Sequence, residues 1–269
     1  MISHLINRIY NRLGRYQFSH ISIFKTVITN FRCFNFKVAI KLPVYIYSNT
    51  RIYALGKIII NGPVSRGMIR IGHHPAKAIG ATKMLGHGTY IFNGPASFWG
   101  GCILENYGLV VCGSGFSMGE SCILLCSEKI EFGDKISIGF KNTFMDSSFH
   151  FLLDTKRKMT FVNTEPIKIG GGTWITSDCK IMQGASLPPN SVLTANSVLK
   201  SDYSEDPQFQ MYSGNPAKCI RKNIRRIFNR EEEKRLHNEF ISDSNKKFKK
   251  IAYEDENQYC LSNSFTFYP

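Results

Sequence analysis

Residues 167–199, IKIGGGTWITSDCKIMQGASLPPNSVLTANSVL, form the stretch of sequence that decides the fold. Aliphatic residues recur there at every sixth position, and a second row, mostly of small residues, precedes them by two positions. The two rows are Ile169, Ile175, Ile181, Leu187, Leu193, Leu199 and Ile167, Thr173, Cys179, Ala185, Ser191, Ser197. Neither an α-helix, which repeats about every 3.6 residues, nor a strand, which repeats about every 2, has this period. A fixed short repeat instead indicates stacked structural units that share one continuous core.

Each six-residue unit can form one side of a triangular prism, so that three units complete a coil. Such coils stack at roughly the 4.8 Å spacing of paired strands. The sequence therefore predicts an all-β fold of stacked coils. The same period appears at Met118 and Leu124 and, after a two-residue insertion near residue 127, continues to Phe144. Residues 64–104 contain many glycines, and we expect irregular coils there.

The chain divides into three parts by pattern. Residues 1–42 are expected to form a basic N-terminal helical cap, and residues 43–203 the coiled prism, interrupted by a polar loop at 151–166. Residues 204–269 are expected to form an exit loop and a C-terminal helical tail, with a charged helical region over 222–250.

Two apolar patterns near the N-terminus predict helices. Residues 2–13 have an amphipathic pattern, and a weaker one covers residues 21–31. These helices could cap the open end of the prism, as a solenoid requires. They could also lie on anionic lipid, and the two roles can coexist.

Positive charge is concentrated in the first part of the chain. The formal net charge is +14, and residues 1–104 contain thirteen Lys and Arg but no Asp or Glu. Such a surface is either simply solvated or suited to an anionic partner, such as a membrane face or an anionic glycan. Nucleic acid is not an expected partner, because the sequence lacks zinc-finger spacing, an aromatic RNA motif and a Gly-rich phosphate loop.

The eight cysteines are scattered and form no CxxC pair. We expect Cys112, Cys122 and Cys179 to face inward and to act as small apolar residues. Together with the absence of a cleavable signal sequence, this favours the reducing cytoplasm. No apolar run approaches the roughly 18 residues of a membrane-spanning helix.

His150 is the residue that most clearly suggests chemistry. Counting six from Phe144 falls on His150, where the repeat demands an aliphatic side chain, and the repeat stops directly afterwards. Local rules tend to be broken at functional sites, and long loops inserted in compact folds usually carry function. A neutral imidazole is the usual general base near neutral pH, and Asp146 or Asp154 could orient it. The alternative is a histidine that merely hydrogen-bonds the loop.

Two other chemistries are less well supported. His73, His74, His87 and His150 could be imagined as metal ligands, as in the prism-shaped carbonic anhydrases, but His73 and His74 fall outside any clear register, so no metal is expected. The sequence has no Gly-x-Ser-x-Gly motif and no activated cysteine context. Direct transfer between two bound substrates is therefore the simpler mechanism.

Residues 169–181, the repeat through Leu199 and residues 214–221 resemble the hexapeptide-repeat acyltransferases. Residues 144–150 are similar to the branch that modifies capsule or O-antigen sugars, although Ser148 stands where that branch often has a second acid. The resemblance covers about residues 36–226. It implies a left-handed parallel β-helix with helical N- and C-terminal appendages, assembled as a homotrimer, that transfers acetyl from acetyl-CoA. Left-handed crossovers are an exception to the usual handedness.

The resemblance also implies roles for individual residues. His150 matches the catalytic base. Asp146 is included as a candidate catalytic residue because of its position near His150, not because of the resemblance. The residues that match acetyl-CoA contacts are Trp174, Ser177, Ala195, Lys200, Ser201, Lys218 and Arg221. Each has a plainer reading: Trp174 as an outward residue covered by the loop, the cations as surface charge, and Asp146 as a turn residue that accepts backbone N–H groups.

These observations predict an acetyl-CoA-dependent O-acetyltransferase acting on a sugar hydroxyl of a surface polysaccharide or its precursor. We expect it in the cytoplasm, with peripheral contact to the inner face of the membrane through residues 1–36. The alternatives are an N-acetyltransferase acting on an amino-sugar nucleotide, a serine or small-molecule acetyltransferase, and a non-catalytic glycan-binding prism.

Overall fold

The computed structural model describes residues 20–73, 80–242 and 247. The helix predicted over residues 2–13, His74 and the C-terminal residues 251–269 lie outside the described residues. Within them, the chain has the all-β architecture that the six-residue repeat predicts.

The prism has three faces, which we name A, B and C. Each face is a sheet of parallel strands, apart from one antiparallel pair of strands at the end of face A. Face A contains β1 (Val44–Ile46), β4 (Ile69–His73), β7 (Ala96–Trp99), β10 (Phe116–Met118), β13 (Ser137–Ile138), β18 (Trp174–Ile175), β21 (Val192–Leu193), β23 (Gln210–Gly214) and β24 (Ala217–Lys222). Face B contains β2 (Thr50–Ile52), β5 (Thr82–Leu85), β8 (Ile103–Asn106), β11 (Ile123–Cys126), β14 (Thr143–Met145), β19 (Lys180–Met182) and β22 (Val198–Leu199). Face C contains β3 (Lys57–Ile60), β6 (Thr89–Phe92), β9 (Leu109–Cys112), β12 (Lys129–Phe132), β17 (Ile167–Ile169) and β20 (Ser186–Leu187).

Two coil lengths recur in the regular part of the prism. In the middle of the prism Leu104 pairs with Leu124 and Leu124 with Phe144, whereas near the C-terminal end Ile181 pairs with Leu199 after a shorter coil of three six-residue units. The irregular coils expected over 64–104 are confirmed for the first part of that range, where Ile69 pairs with Ala96 with a register shift between Ile71 and His73. From Met84 onward the expectation is wrong, because the coils there are regular, with two extra residues at the corner between faces B and C. The corner position recurs once in each longer coil, so a count by six does not find it.

The core is a column of stacked side chains along the prism axis. Its largest members are five phenylalanines with neighbouring ring centroids 4.9–6.2 Å apart: Phe92, Phe98, Phe116, Phe132 and Phe144. Each is at most 1% exposed. The inward placement predicted for Cys112, Cys122 and Cys179 is confirmed, since all three are buried free thiols.

Two helices close the N-terminal end, at the position predicted from residues 21–31. Helix α1 spans Ile23–Cys33 and α2 spans Phe36–Ala39, with Ser22 and Asn35 as their N-caps. Helix α1 packs beside β1, the first strand of face A. It therefore covers a sheet edge that would otherwise present unpaired backbone groups.

The C-terminal end differs from the expectation of an exit loop over 204–218. Strands β23 and β24 form an antiparallel hairpin there and extend face A. Tyr212 anchors this hairpin to the prism. Its side chain is fully buried over the last coil and donates a 2.8 Å hydrogen bond to Asp206. Helix α3 (Arg230–Ser242) follows and begins at Arg230 rather than near residue 222, where the charged helical region was predicted to start. No helix in the described part of the chain is long and apolar enough to cross a membrane.

Candidate active site

The prism is interrupted after β14 by an excursion, which we name the arm (residues 147–165). The chain leaves face B after β14 and returns to face C at Ile167. Ser147 and Thr164 form an antiparallel bridge at the base of the arm. Further out, β15 (Leu153–Asp154) pairs with β16 (Met159–Thr160). The arm leaves from the same B–C corner where the earlier coils carry two extra residues, and it corresponds to the loop predicted at 151–166.

His150 lies near the base of the arm and its side chain is exposed. The Ser148 hydroxyl donates to the His150 carbonyl oxygen at 2.9 Å, and the Phe149 N–H donates to the Ser147 hydroxyl at 2.9 Å. The count of six placed His150 at an inward position of the column. That placement is wrong, because the chain turns outward at Ser147, before it reaches His150. The imidazole is therefore open to solvent.

Asp146 is fully buried at the B–C corner, directly before the arm. Its Oδ1 accepts the Ser127 N–H at 2.7 Å, and its Oδ2 accepts the N–H groups of Glu128 and Lys129 at 2.9 and 2.8 Å. These contacts match the alternative interpretation of Asp146, a turn residue whose carboxylate accepts backbone N–H groups. The carboxylate ties the coil below to the point where the arm begins.

Asp154 lies in the hairpin turn of the arm. Its Oδ1 accepts the N–H groups of Lys156 and Arg157 at 3.0 and 2.8 Å. Within the described ranges, neither this carboxylate nor that of Asp146 hydrogen-bonds the His150 ring.

Two of the residues matched to acetyl-CoA contacts stack at the corner between faces A and B. Ser177 and Ala195 occupy equivalent positions in successive coils, one above the other, and the Asn196 N–H donates to the Ser177 carbonyl at 3.1 Å. In the part of the chain that the structure describes, the backbone N–H groups of Ser177 and Ala195 have no hydrogen-bond acceptor. This corner therefore offers backbone donors to a bound group.

Trp174 lies on face A in β18 and is half-buried. It is covered by Arg226 rather than by the arm: the guanidinium lies 5.2 Å from the indole centroid and donates to the Ser137 hydroxyl at 2.7 Å. A cation over an indole face is a favourable contact. The sequence analysis missed Arg226, and the signal available was the basic pair at 225–226, shortly after the matched motif at 214–221.

The remaining matched residues lie elsewhere on the prism. Lys200 is exposed at the B–C corner, followed by Ser201, whose carbonyl accepts the Ser186 N–H at 3.2 Å. Lys218 and Arg221 are exposed on β24, at the edge of face A. One chain therefore does not gather the predicted residues. Asp146, His150, Lys200 and Ser201 lie along the B–C edge, and the other five lie along the A–B edge and on face A.

The described residues show no metal cluster, and the thiols in the core are suppressed by burial. Across 20–73 and 80–242, no three His, Cys, Asp or Glu side chains are arranged to hold a metal ion. His73 packs in the core with its ring 5.0 Å from Tyr47 and 5.8 Å from Trp99. Burial raises the pKa of the Cys126 thiol to about 12, which suppresses the nucleophilic thiolate.

No protein-family model and no curated protein matches the sequence. Among solved structures, the chain is similar to the polySia-specific acetyltransferase NeuO, with a TM-score of 0.54 and 18% identity over 74% of this chain and 88% of that one. It also aligns with the polysialic acid O-acetyltransferase OatWY (TM-score 0.38, 17% identity, 71% and 96% covered). A third alignment is with the hexapeptide-repeat acetyltransferase VCA0836 from Vibrio cholerae O1 biovar eltor (TM-score 0.33, 19% identity, 74% and 83% covered).

The likeness to the first of these proteins shows the fold. The chain is a left-handed parallel β-helix of the hexapeptide-repeat type, with short helical ends, as the sequence predicts.

Proposed function

We propose that this protein is an acetyl-CoA-dependent O-acetyltransferase that modifies a sugar hydroxyl of a surface polysaccharide or its precursor. The observation that carries the proposal is the solvent-open His150, held on an arm that breaks an otherwise continuous prism. The acceptor class is taken from the similar acetyltransferase NeuO, which is specific for polysialic acid. Free, buried cysteines agree with a cytoplasmic location, where the CoA thioester would be met.

In the proposed reaction, His150 takes the proton from the sugar hydroxyl as that oxygen attacks the thioester carbonyl carbon. A tetrahedral intermediate forms, and its oxyanion accepts a hydrogen bond from a backbone N–H. The Ser177 amide suits that role, because it has no acceptor among the described residues. The carbon–sulfur bond then breaks, and the imidazolium returns its proton to the CoA sulfur. The acetyl group passes directly from sulfur to oxygen, without a covalent enzyme intermediate.

The remaining residues are assigned to binding. The Ala195 amide and the Trp174 indole would contact the pantetheine and acetyl portions. Lys218 and Arg221, both exposed on β24, would meet the nucleotide phosphates through charge-assisted hydrogen bonds. Lys200 and Ser201, which the resemblance matches to acetyl-CoA contacts, lie along the same B–C edge as His150. We therefore assign them to the acceptor instead.

Asp146 is assigned as a positioning residue rather than a contact of the imidazole. Its carboxylate oxygens already hold three backbone N–H groups at the corner where the arm departs. By holding the backbone of that corner, Asp146 sets the position of His150 relative to face B.

The division of the site between two prism edges supports a homotrimer. A second copy that places its A–B edge against the B–C edge of the first would complete the site. A contact between two different surfaces gives a ring when its rotation closes, and the threefold cross-section of the prism suits a ring of three members. The arm also exposes apolar side chains that a neighbour would cover: Phe151, Leu152, Leu153, Phe161 and Val162.

The test is incubation of the full chain with acetyl-CoA and polysialic acid, followed by mass spectrometry of the glycan. We expect an acetyl ester, which mild alkali removes. An alkali-stable acetyl group on an amino-sugar nucleotide would establish the N-acetyltransferase alternative instead. Failure to bind CoA in calorimetry would overturn the enzyme assignment and favour the glycan-binding prism.

A second experiment tests the shared site. His150→Ala protomers are unfolded and refolded together with Ala195→Trp protomers, whose A–B corner is blocked. Neither variant alone should transfer acetyl, whereas mixed trimers should regain part of the wild-type rate. No regain in mixed oligomers would mean that each chain holds a complete site.

A further inference from the structure

Helix α1 is amphipathic in the reverse of the usual sense, since its apolar residues face away from the prism. Ile23 and Phe24 are 78% and 75% exposed. Three more apolar residues of the same helix are exposed on that side: Val27, Ile28 and Phe31. A helix on a soluble core normally buries this stripe.

The buried side of α1 is polar and makes specific hydrogen bonds to the prism. Thr26, Thr29 and Asn30 are at most 2% exposed. The Asn30 amide donates to the Val44 carbonyl at 2.7 Å, and its Oδ1 accepts the Val44 N–H at 3.1 Å. The Thr26 hydroxyl accepts the Ile46 N–H at 3.0 Å.

These bonds fix the orientation of the helix. They satisfy backbone groups of β1, which is the end strand of face A among the described residues. Rotating α1 to bury its apolar stripe would leave those backbone groups without partners and would break the bonds of the Thr26 and Asn30 side chains to β1. The outward apolar stripe is thus built into the packing.

The apolar surface extends beyond α1. Phe36 and Ile40 in the α2 region and Tyr53 after β2 are also exposed. Between α1 and β2 lies a cleft of about 460 Å³ with a largely apolar lining that includes Phe24, Ile28, Ile52 and Leu55. We name this set of exposed residues and the cleft the cap surface. A continuous apolar surface of this kind marks a site of association.

The charges around the cap surface are all positive. Lys37, Lys41 and Arg51 are exposed at its margin, and Arg32 and Arg51 contribute to the cleft wall. Residues 1–104 contain no Asp or Glu, so no carboxylate of this region neutralises these cations. Cations flanking an exposed apolar stripe are the arrangement of helices that lie in the plane of an anionic membrane.

We propose that the cap surface binds the interfacial region of a membrane containing anionic lipid. Helix α1 lies parallel to the membrane plane, with Ile23, Phe24 and Ile28 among the upper acyl chains. Lys37, Lys41 and Arg51 lie at the level of the headgroup phosphates. The prism then stands on the bilayer by its N-terminal end, and its edges stay free. The proposal is independent of the reaction assigned to His150.

The first test is co-sedimentation of the full chain with vesicles of phosphatidylcholine alone or with added phosphatidylglycerol. We expect binding to the anionic vesicles, weakening as salt is raised. Replacing Ile23 and Phe24 by serine should lower the partition coefficient at least about tenfold, and so should Lys37→Gln with Lys41→Gln and Arg51→Gln.

The matched control is serine at Phe240 and Ile241, an adjacent aromatic–aliphatic pair on α3. Substituting this control pair should leave vesicle binding unchanged. Equal losses of vesicle binding from both double substitutions would overturn the proposal. Absence of binding to anionic vesicles would also overturn it. Two accompanying results would then identify the true occupant. A drop in unfolding midpoint for the Ile23, Phe24 variant would indicate cover by residues 1–19, and a drop in oligomer mass would indicate a second copy.

Discussion

Substitution of Asp146 by asparagine separates a positioning role from a chemical one. The carboxylate accepts three backbone N–H bonds at 2.7–2.9 Å while fully buried. Asparagine has one acceptor oxygen, so its best orientation keeps the bonds from Glu128 and Lys129. The Ser127 N–H then faces an NH₂ group and loses its partner.

The magnitude follows from these contacts. An orphaned buried donor costs about 1–3 kcal/mol, and each of the two retained bonds weakens by about 1 kcal/mol when the acceptor loses its charge. Asp146→Asn should therefore lower the free energy of unfolding by about 3–5 kcal/mol. Alanine, which orphans all three donors, should lower it further.

The assay is urea unfolding followed by circular dichroism, at one fixed protein concentration because oligomers unfold in a concentration-dependent way. Asp154→Asn is the matched control. Asp154 accepts two backbone N–H bonds in an exposed hairpin, where water can replace them. That change should cost less than about 1 kcal/mol. An Asp146→Asn protein with the wild-type urea midpoint would refute the positioning role and favour a direct chemical role for Asp146.

Three further predictions concern the prism. Phe132→Ala should lower stability by about 3–5 kcal/mol in the same urea assay, because its ring lies between two other phenylalanines in the core, and an unchanged midpoint would contradict the stacked column. Gly86→Ala should cost more than about 2 kcal/mol, because Gly86 has a φ of +88° and an added Cβ would overlap the Asn106 carbonyl; a folded, fully stable variant would contradict this corner geometry. Desolvation raises the pKa of the Cys112 and Cys126 thiols, so both should resist a disulfide reagent at about pH 8 until denaturant is added, and labelling of either in the native protein would show that the column opens.

The six-residue period was sufficient to predict the prism because each inward aliphatic position is filled independently of the others. It was insufficient for the longer coils, whose additional two residues follow a corner position that recurs as Asn106, Cys126 and Asp146. Those three side chains are chemically unlike one another. Each stabilises the same corner with a different hydrogen bond, so the three positions share no recognisable sequence pattern.

The candidate site was predictable only in part. The break in the repeat located the arm and drew attention to His150, but the exit at Ser147 moved that residue from the core to the surface. The apolar stripe over 21–31 predicted a helix without indicating which face packs. That choice depends on Thr26 and Asn30 meeting the backbone of β1, a contact between segments that are separate in sequence. Similarly, the cover of Trp174 comes from Arg226, which lies beyond the last strand of the prism.

The central claim is that an exposed imidazole on the arm removes the proton from the accepting hydroxyl. The most direct measurement is the rate of acetyl transfer from acetyl-CoA to polysialic acid by the wild type, His150→Ala and His87→Ala, with His87 an exposed histidine elsewhere on the same corner of the prism. The account predicts a loss of at least about 100-fold for His150→Ala with CoA affinity retained, and no loss for His87→Ala. Equal rates in all three proteins would contradict it.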